Sequence, residues 1–210
     1  MKIVRKVSYV CVDNVYGNFE FNFEPLADSL TVKKTKKGYE ASYLIQDTDP
    51  SDPFEDDGVG AFYHWKDYGR EQLLKYCEAL GYDPETHEPN GTKVNPDAVK
   101  IDKYEHSQVY YSVEGEGHEC RWDTSHGWAV WLPDKYLWED INRYKTAKAR
   151  RKRCVELARE ACETHNKWAN GDVYCLVKET YNKNREYVAH DIVGGYYGYK
   201  EALKALETEI

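Results

Sequence analysis

Residues Tyr104–Trp131, YEHSQVYYSVEGEGHECRWDTSHGWAVW, form the stretch around which we expect the fold to be built. They hold three of the seven histidines, one of the six cysteines and three of the six tryptophans of a 210-residue chain. Alternating residues predict a strand from Tyr104 to Val113, followed by a turn at Glu114–Gly117. A second, wholly apolar strand is predicted over Trp128–Leu132. Neither a helix surface nor an ordinary loop needs this density of rings, so a functional site is expected here.

The first 45 residues show the period-two alternation of β-strands. Phe19, Phe21 and Phe23 alternate with polar residues after Gly17-Asn18, which predicts a hairpin turn followed by a strand with one buried face. Tyr39, Ala41, Tyr43 and Ile45 alternate in the same way, so antiparallel pairing is expected. A group of lysines between them predicts a solvated hairpin tip, with an anion-contacting finger as the alternative. They are Lys33, Lys34, Lys36 and Lys37.

Helices are predicted at three places. Gly69–Leu80 has apolar residues at helical spacing, and Gly81 follows as a left-handed cap. A second helix is predicted to start at Pro133-Asp134, to resume after a basic segment and to end at Asn170-Gly171. Two strands, DVYCLVKE and EYVAHDIV, then lead through a GGYYG turn to a last helix that begins near Tyr199.

These elements predict an α+β fold in a single domain, with an antiparallel sheet covered by about three helices. A chain of this length suits one domain better than two. Within residues 1–210 we expect N-terminal hairpins over 1–45, a core over 46–199 and a C-terminal helix over 199–210.

Composition limits the classes of function. The chain has 37 acidic and 29 basic residues and a net charge of −8, which disfavours a broad nucleic-acid-binding face. No apolar run is long enough to span a membrane, and the N-terminal residues lack a signal-peptide cleavage pattern, so a soluble, cytoplasmic protein is expected. The six cysteines form no Cys-x-x-Cys pair, which predicts reduced, buried thiols.

Two segments concentrate charge of opposite sign. The first lies in a loop predicted over Gln46–Trp65; its part from Asp47 to Asp57, which we call the acidic loop, predicts a solvated segment, a cation site or a surface for a basic partner. Its acidic residues are Asp47, Asp49, Asp52, Glu55, Asp56 and Asp57. The second is a basic run on a predicted helix, for which a solvated face is favoured over contact with phosphate or nucleic acid. Its residues are Arg143, Lys145, Lys148, Arg150, Arg151, Lys152 and Arg153.

A polar cluster is predicted in which Glu55 and Asp57 meet His106 and Asp123. A histidine beside carboxylates suits general acid/base catalysis or cation binding, and it equally suits a hydrogen-bonded network that fixes a loop. The structural interpretation is favoured, with His106 and Asp123 as the alternative catalytic pair. Ser107 is adjacent to His106 on a predicted strand, so the two side chains should point to opposite faces and not form a catalytic pair.

No cofactor is expected, with zinc as the alternative. His118, Cys120 and His126 are close in sequence, and Cys162 and His165 lie three apart on one predicted helix face. Those five could supply a tetrahedral site if the helix packs over the loop. Their spacing matches no standard zinc finger.

Five pieces of the chain stand in a distinctive order: DPSDPFEDDGVG at 49–60, His106-Ser107, CRWDTS at 120–125 followed by Gly127, GDVY at 171–174 and GGYYG at 194–198. They resemble a family of small phage, prophage and plasmid proteins. The motifs of that family run Pro-Arg-Glu-Trp-Asp-Asn-Leu-Gly, His-Ser-Gly, Cys-Pro-Trp-Asp-Ser/Thr, Gly-Asp-Val-Tyr and Trp-Gly-Phe-Tyr-Gly. The resemblance spans about residues 45 to 199 and implies a mobile-element accessory protein in a bacterial host cytoplasm.

The chain departs from that family at several positions. Phe54 and Asp56 stand where the family tends to have Arg and Trp, Gln108 replaces the glycine of His-Ser-Gly, and Arg121 replaces a proline. One residue fewer separates Asp123 from Gly127. These changes leave the expected fold unaltered and weaken any role that needs a glycine beside His106.

The resemblance, the charge and the aromatic content predict a protein that inhibits a bacterial defence system, of the anti-CRISPR or anti-restriction type, by binding and occluding a host protein. The acidic loop would dock on a basic, nucleic-acid-handling groove, with Trp and Tyr side chains supplying the main contacts. Beyond the acidic loop, the predicted binding residues are His106, Trp122 and Asp123. The alternatives are a small metal- or His/Asp-dependent enzyme acting on a nucleotide or nucleic acid, and a structural or regulatory phage protein.

Overall fold

The computed structural model describes residues 6–12, 15–53, 58–65 and 69–209. Its strands are β1 (Lys6–Val12), β2 (Val15–Phe21), β3 (Thr31–Lys34), β4 (Gly38–Gln46), β5 (Ala61–His64), β6 (Val99–His106), β7 (Gln108–Val113), β8 (Thr124–Leu132), β9 (Val173–Asn182) and β10 (Tyr187–Tyr197). Its α-helices are α1 (Arg70–Leu80), α2 (Trp138–Ile141), α3 (Ala147–Ala169) and α4 (Tyr199–Glu209). The chain divides into two units, Met1–Ser51 with Gly171–Ile210, and Asp52–Asn170.

The first unit is built on a four-stranded antiparallel sheet in the order β10-β9-β4-β3. Phenylalanines of β2 and the following loop cover one face, where Phe21 meets the Tyr43 ring edge-on at 5.5 Å between centroids. Helix α4 covers the other face and buries Leu206 against Leu44 and Leu176. Because β4 and β9 are each covered on both faces, their residues are buried in near-continuous runs.

Glu179 is a fully buried carboxylate in this first unit, with 0 % of its surface exposed. It accepts hydrogen bonds from the Asn22 backbone N–H at 3.0 Å and from the Tyr181 hydroxyl at 2.5 Å. Burial, together with Glu179, raises the pKa of the Tyr181 hydroxyl far above its ordinary value. The Tyr181 hydroxyl therefore stays neutral and donates to Glu179. These hydrogen bonds offset the cost of burying a carboxylate in an aromatic core.

The second unit has its own four-stranded antiparallel sheet in the order β5-β8-β6-β7. Helix α3 buries Ala158 and Cys162 against one face, together with Ile101 and Trp131. Helix α1 packs on the other face, where Tyr76 lies in a cluster with Val130. The alternation of residues along β8 therefore sends neighbouring side chains to different helices.

The predicted strand from Tyr104 to Val113 is wrong, because the chain reverses within it. Strands β6 and β7 pair as a hairpin, with His106 opposite Gln108 and Ser107 at the apex. Ser107 has φ of 60°, in the left-handed region that a serine seldom occupies. The reversal places His106 at the end of β6, where β8 begins on the neighbouring side.

The helices agree well with the sequence predictions. Helix α1 ends at Gly81, whose φ is 70° and whose N–H donates to the Cys77 carbonyl. The helix face predicted to carry Cys162 and His165 is buried in α3. The helix expected from Pro133-Asp134 begins later, because a turn precedes α2. Of the described helices, none combines the length and the apolar character needed to cross a membrane.

The α+β class with antiparallel strands is confirmed. The strands lie in two four-stranded sheets and the β1-β2 hairpin rather than in one sheet, as far as the described residues go. Strand β5 lies in a segment that the sequence predicts as loop, and β10 continues through the predicted GGYYG turn to Tyr197. The single-domain organisation stays a prediction.

Candidate functional site

The His106 and Asp123 side chains meet, as the sequence predicts. Strand β6 pairs with β8, and the Glu105 backbone N–H donates to the Asp123 carbonyl at 2.9 Å. This pairing places His106 Nδ1 3.4 Å from Asp123 Oδ2, with the imidazole largely exposed. Because Nδ1 faces the carboxylate, Nε2 is the ring nitrogen that remains available to solvent or to a ligand.

Asp123 belongs to a tight turn over Cys120–Thr124, which we call the Trp122 turn. The Thr124 N–H donates to the Cys120 carbonyl at 3.0 Å, and the Cys120 N–H donates to Thr124 Oγ1 at 3.0 Å. Thr124 Oγ1 in turn donates to the His118 carbonyl at 2.8 Å. These reciprocal bonds hold the backbone of the turn in one conformation, independently of what its other side chains do.

Trp122 stands at the top of this turn with 84 % of its surface exposed. The Arg121 guanidinium lies 5.2 Å from the centroid of its ring, which is within cation–π range. An indole that is this exposed contributes little to the stability of the fold, because it buries almost no apolar surface. The structure therefore presents a large amphipathic side chain on a rigid support.

Cys120 and Asp123 also meet within the turn, where the Sγ atom lies 3.2 Å from Asp123 Oδ2. The carboxylate thus stands between the thiol and His106. In a Cys–His catalytic pair the imidazole must reach the sulfur to take its proton. Here the His106 imidazole has its contact with Asp123, so the arrangement fits a hydrogen-bonded network rather than an activated thiol.

Aromatic rings continue the surface beside the turn. The His118 ring lies 5.2 Å from the Tyr104 ring and 5.5 Å from the Tyr110 ring, measured between centroids. Tyr110 is 44 % exposed. The β6-β7 hairpin and the Trp122 turn therefore present imidazole, phenol and indole side chains together in the second unit.

No protein-family model, curated protein or solved structure matches this chain. The side chains of the site are therefore the evidence for its chemistry. They offer an exposed indole, a guanidinium and a His–Asp pair, which together suit contact with another macromolecule. An imidazole with one free nitrogen also suits proton transfer.

The structure does not bring the five alternative zinc ligands together. Cys162 and His165 are buried in the core beneath α3, where the His165 ring meets Phe62 edge-on at 4.8 Å. His126 Nδ1 lies 3.2 Å from Asp102 Oδ2, whereas the His118 ring packs at an angle against Tyr104 and Tyr110. Within the described ranges, no three His, Cys, Asp or Glu side chains are placed to hold a metal ion.

His64 is a second buried histidine on the face of the sheet that α3 covers, and it was not identified from the sequence. Burial lowers the pKa of His64 to about 4, with a smaller contribution from Lys103. Burial also lowers the pKa of His165 to about 3, and His64 adds to that effect. His64 alternates with Phe62 along β5, and this pattern could have identified it as buried. It was missed because the segment is predicted as a loop.

The acidic loop is described only in part. Asp47 is half-buried in the first unit, where it accepts the Asp49 backbone N–H at 3.1 Å and bonds to the Cys175 thiol. Asp49 is exposed, and Asp52 begins the second unit. Glu55, Asp56 and Asp57 lie outside the described residues, so the meeting of Glu55 and Asp57 with His106 and Asp123 stays a prediction.

Most residues of the basic run, which begins before α3 and continues along it, lie in ion pairs or hydrogen bonds. Arg153 Nε lies 2.6 Å from Asp140 Oδ2, and Arg150 lies 3.6 Å from Asp97. Lys152 pairs with Glu156 and Arg143 with Glu139, while Arg151 donates to the Ala98 carbonyl. Four of the seven cations therefore have an acidic neighbour, which reduces the net positive charge that the run offers to phosphates.

Proposed function

We propose that this protein is a mobile-element accessory protein that inhibits a bacterial defence system by binding a host protein, with the Trp122 turn as its anchor. The carrying observation is the 84 % exposure of Trp122 on a turn whose backbone is held by its own hydrogen bonds. The defence setting is supported by the sequence resemblance to phage and plasmid proteins. The binding mode is supported by the geometry of the turn.

A partner pocket that encloses Trp122 would gain more binding free energy than a pocket that encloses any other exposed side chain of this surface. Burying a large aromatic ring stabilises a complex by about 2 to 4 kcal/mol, and Trp, Tyr and Arg dominate the centres of protein interfaces. The turn is already ordered, so little conformational entropy is lost on docking. Arg121 lies beside the indole, and Tyr110 is a further exposed ring of the same unit.

Charge would add steering to this anchor. The chain carries −8, and part of that charge is concentrated in the acidic loop. A basic surface of the kind that handles nucleic acid would be attracted over several ångströms and would associate faster at low ionic strength. Glu55, Asp56 and Asp57 supply three of the negative charges of this loop.

The test uses bacteria that carry defined restriction or CRISPR systems and are challenged with a sensitive phage. Expression of the protein should restore phage plating, and Trp122→Ala should abolish the restoration. Tyr136→Ala is the matched control, because Tyr136 is a 54 % exposed aromatic residue elsewhere in the same unit. Restoration that survives Trp122→Ala at equal protein level would contradict the anchor. Failure to restore plating against every system would contradict the defence role.

A second candidate function follows from the His106–Asp123 pair, with Nε2 of His106 placed for general acid/base work on a nucleotide or nucleic acid. Stoichiometry separates the two, because an enzyme acts far below equimolar amounts and an occluding inhibitor does not. His106→Ala should abolish the effect of an enzyme. Under the binding proposal, the same substitution should weaken inhibition less than Trp122→Ala does.

A further inference from the structure

A cleft lies in the second unit, between α1, the loop that follows it and the start of β8. It is a cleft of about 190 Å³ whose walls are mostly rings. The lining residues are Trp65, Tyr76, Cys77, Tyr82, His87, His126 and Gly127. The segment from Tyr82 to Asp97, which lies between α1 and β6, thus supplies part of a wall.

His87 is held in this wall by a strained backbone. Its φ is 59°, and the preceding turn is fixed by Asp83, whose Oδ1 accepts the N–H groups of Glu85 and Thr86 at 2.8 and 2.9 Å. The His87 ring meets the Trp65 ring edge-on at 5.8 Å between centroids. Left-handed backbone at a non-glycine residue costs about 1 to 2 kcal/mol, and such residues concentrate at binding sites.

The floor of the cleft is fixed by a buried carboxylate. Asp102 is 3 % exposed and accepts the Gly127 N–H at 2.8 Å and the Gly115 N–H at 3.0 Å. It also lies 3.2 Å from His126 Nδ1. The Tyr76 hydroxyl donates to the Gly127 carbonyl at 2.9 Å, so its ring is the part that remains for a ligand.

The cleft is electrically suited to a cation. Its lining residues include no lysine or arginine among the described side chains. Burial and then the negative charge of Asp83 raise the pKa of the Cys77 thiol. Burial raises the pKa of Tyr76 to about 12, and Glu114 adds a smaller contribution of the same sign. Burial is the main cause of both shifts, and the carboxylates that add to them, Asp83 and Glu114, are negative charges close enough to act on two wall residues.

We infer that this cleft binds a small organic cation of the methylated-ammonium type. Trp and Tyr rings attract such cations through their negative faces, and enclosure by several rings is the usual way in which proteins recognise them. The Asp102 carboxylate beneath His126 adds attraction without presenting an exposed anion that would prefer a hydrated metal. A neutral ligand of the same shape would make the same apolar contacts and would lack the electrostatic contribution to the binding free energy.

The test is a titration of the full chain with choline and, in parallel, with 3,3-dimethyl-1-butanol, which has the same shape and no charge. Binding is followed by isothermal calorimetry and by the shifts of the indole N–H signals in NMR spectra. Choline should bind at least about tenfold more tightly than the neutral analogue. Equal affinities, or no saturable choline binding, would overturn the proposal.

Substitutions locate the binding. Trp65→Leu should remove choline binding, whereas Trp122→Ala, which alters a tryptophan outside the cleft, should retain it. Tyr82→Leu is a second cleft variant for the case in which Trp65→Leu does not fold, as judged by circular dichroism. Equal losses in the cleft variants and in Trp122→Ala would show that the cation binds elsewhere.

Discussion

Ser107 carries backbone strain at the apex of the β6-β7 hairpin, next to His106. A serine at φ of 60° occupies a region that glycine enters at no steric cost. The same residue determines where His106 points, because the chain reverses on it. Strain at this position is thus linked to the geometry of the His106–Asp123 pair.

Ser107→Gly should raise the free energy of unfolding by about 0.5 kcal/mol, since relief of the left-handed strain slightly exceeds the entropy cost of glycine. Urea unfolding measures the change. Ser125→Gly in β8 is the matched control and should lower the free energy of unfolding by a similar amount, because it lies in extended structure. A loss of stability in Ser107→Gly would show that the serine side chain stabilises the apex.

Cys120 should be the first of the described thiols to react with maleimide near neutral pH. It is partly exposed, whereas Cys77, Cys154, Cys162 and Cys175 are buried. Burial raises the pKa of Cys154 to about 11 and those of Cys162 and Cys175 to about 12. Peptide mass mapping after short labelling checks the order and reads Cys11 separately. Earlier labelling of Cys154 would contradict the described burial.

Sequence reasoning works well for residues whose chemistry depends on type and less well where it depends on the path of the chain. It places His106 with Asp123, and the structure shows that contact. It also proposes His118 and His165 as ligands of one zinc ion, which the structure separates. Their spacing along the chain carries no information about which side of the sheet each one reaches.

At the level of elements, the helices are the most predictable. Their apolar spacing and end signals, such as Gly81 after α1, act locally and are read from neighbouring residues. The β6-β7 hairpin is missed because its turn is a single residue, Ser107. Both strands alternate with period two, so the pattern continues through the apex without a glycine, asparagine or proline to mark it.

The Gly17-Asn18 pair shows the opposite error. It has the composition of a hairpin turn, yet it lies within β2, with Gly17 opposite Val10. The reason is long-range, because a Cβ atom on Gly17 would overlap the Arg185 guanidinium. That guanidinium lies 5.6 Å from the Phe19 and Tyr39 ring centroids. The glycine therefore admits a cation to an aromatic cluster, which no local pattern reveals.

The α3 face of the second sheet should make stability depend on pH. His64 and His165 have pKa values of about 4 and about 3 in the folded state, below the ordinary value near 6.5. The unfolded chain therefore binds protons more readily, and the stability linked to neutral imidazoles is fully present above pH about 6.5. It is lost as the pH falls towards the folded-state values, by up to about 1.4 kcal/mol per unit for each histidine.

Urea unfolding between about pH 7 and about pH 5 measures this slope. His165→Phe should roughly halve it, because an apolar ring fills the same space without binding a proton. His190→Gln changes an exposed histidine of the first unit and should leave the slope unchanged. A slope that His165→Phe does not reduce would place the pH dependence in other groups.

At the scale of the whole molecule, the two units differ in how the chain builds them. The second unit is continuous from Asp52 to Asn170, whereas the first is assembled from both ends of the chain. Composition and length favour one domain, but neither carries information on which strands share a sheet, so they do not predict two separate sheets. The division depends on the pairing of β4 with β9, two strands that are far apart in sequence.

A fragment of residues 52–170 should therefore fold alone, since it retains its complete sheet, both flanking helices and the buried histidines. Circular dichroism and a cooperative urea transition check this expectation. A chain truncated after Asn170 is the informative comparison, because it lacks β9 and should lose the sheet of the first unit while keeping the second. An unfolded 52–170 fragment would instead support one cooperative domain.

The pairing of β4 with β9 also brings together the residues that precede and follow the second unit in the chain. Gln46 lies opposite Tyr174, and its Nε2 atom donates to the Gly171 carbonyl at 2.9 Å. A short glycine-serine bridge could therefore replace the whole intervening unit. Such a junction would allow the second unit to be deleted, or exchanged for another domain, while the sheet of the first unit is kept.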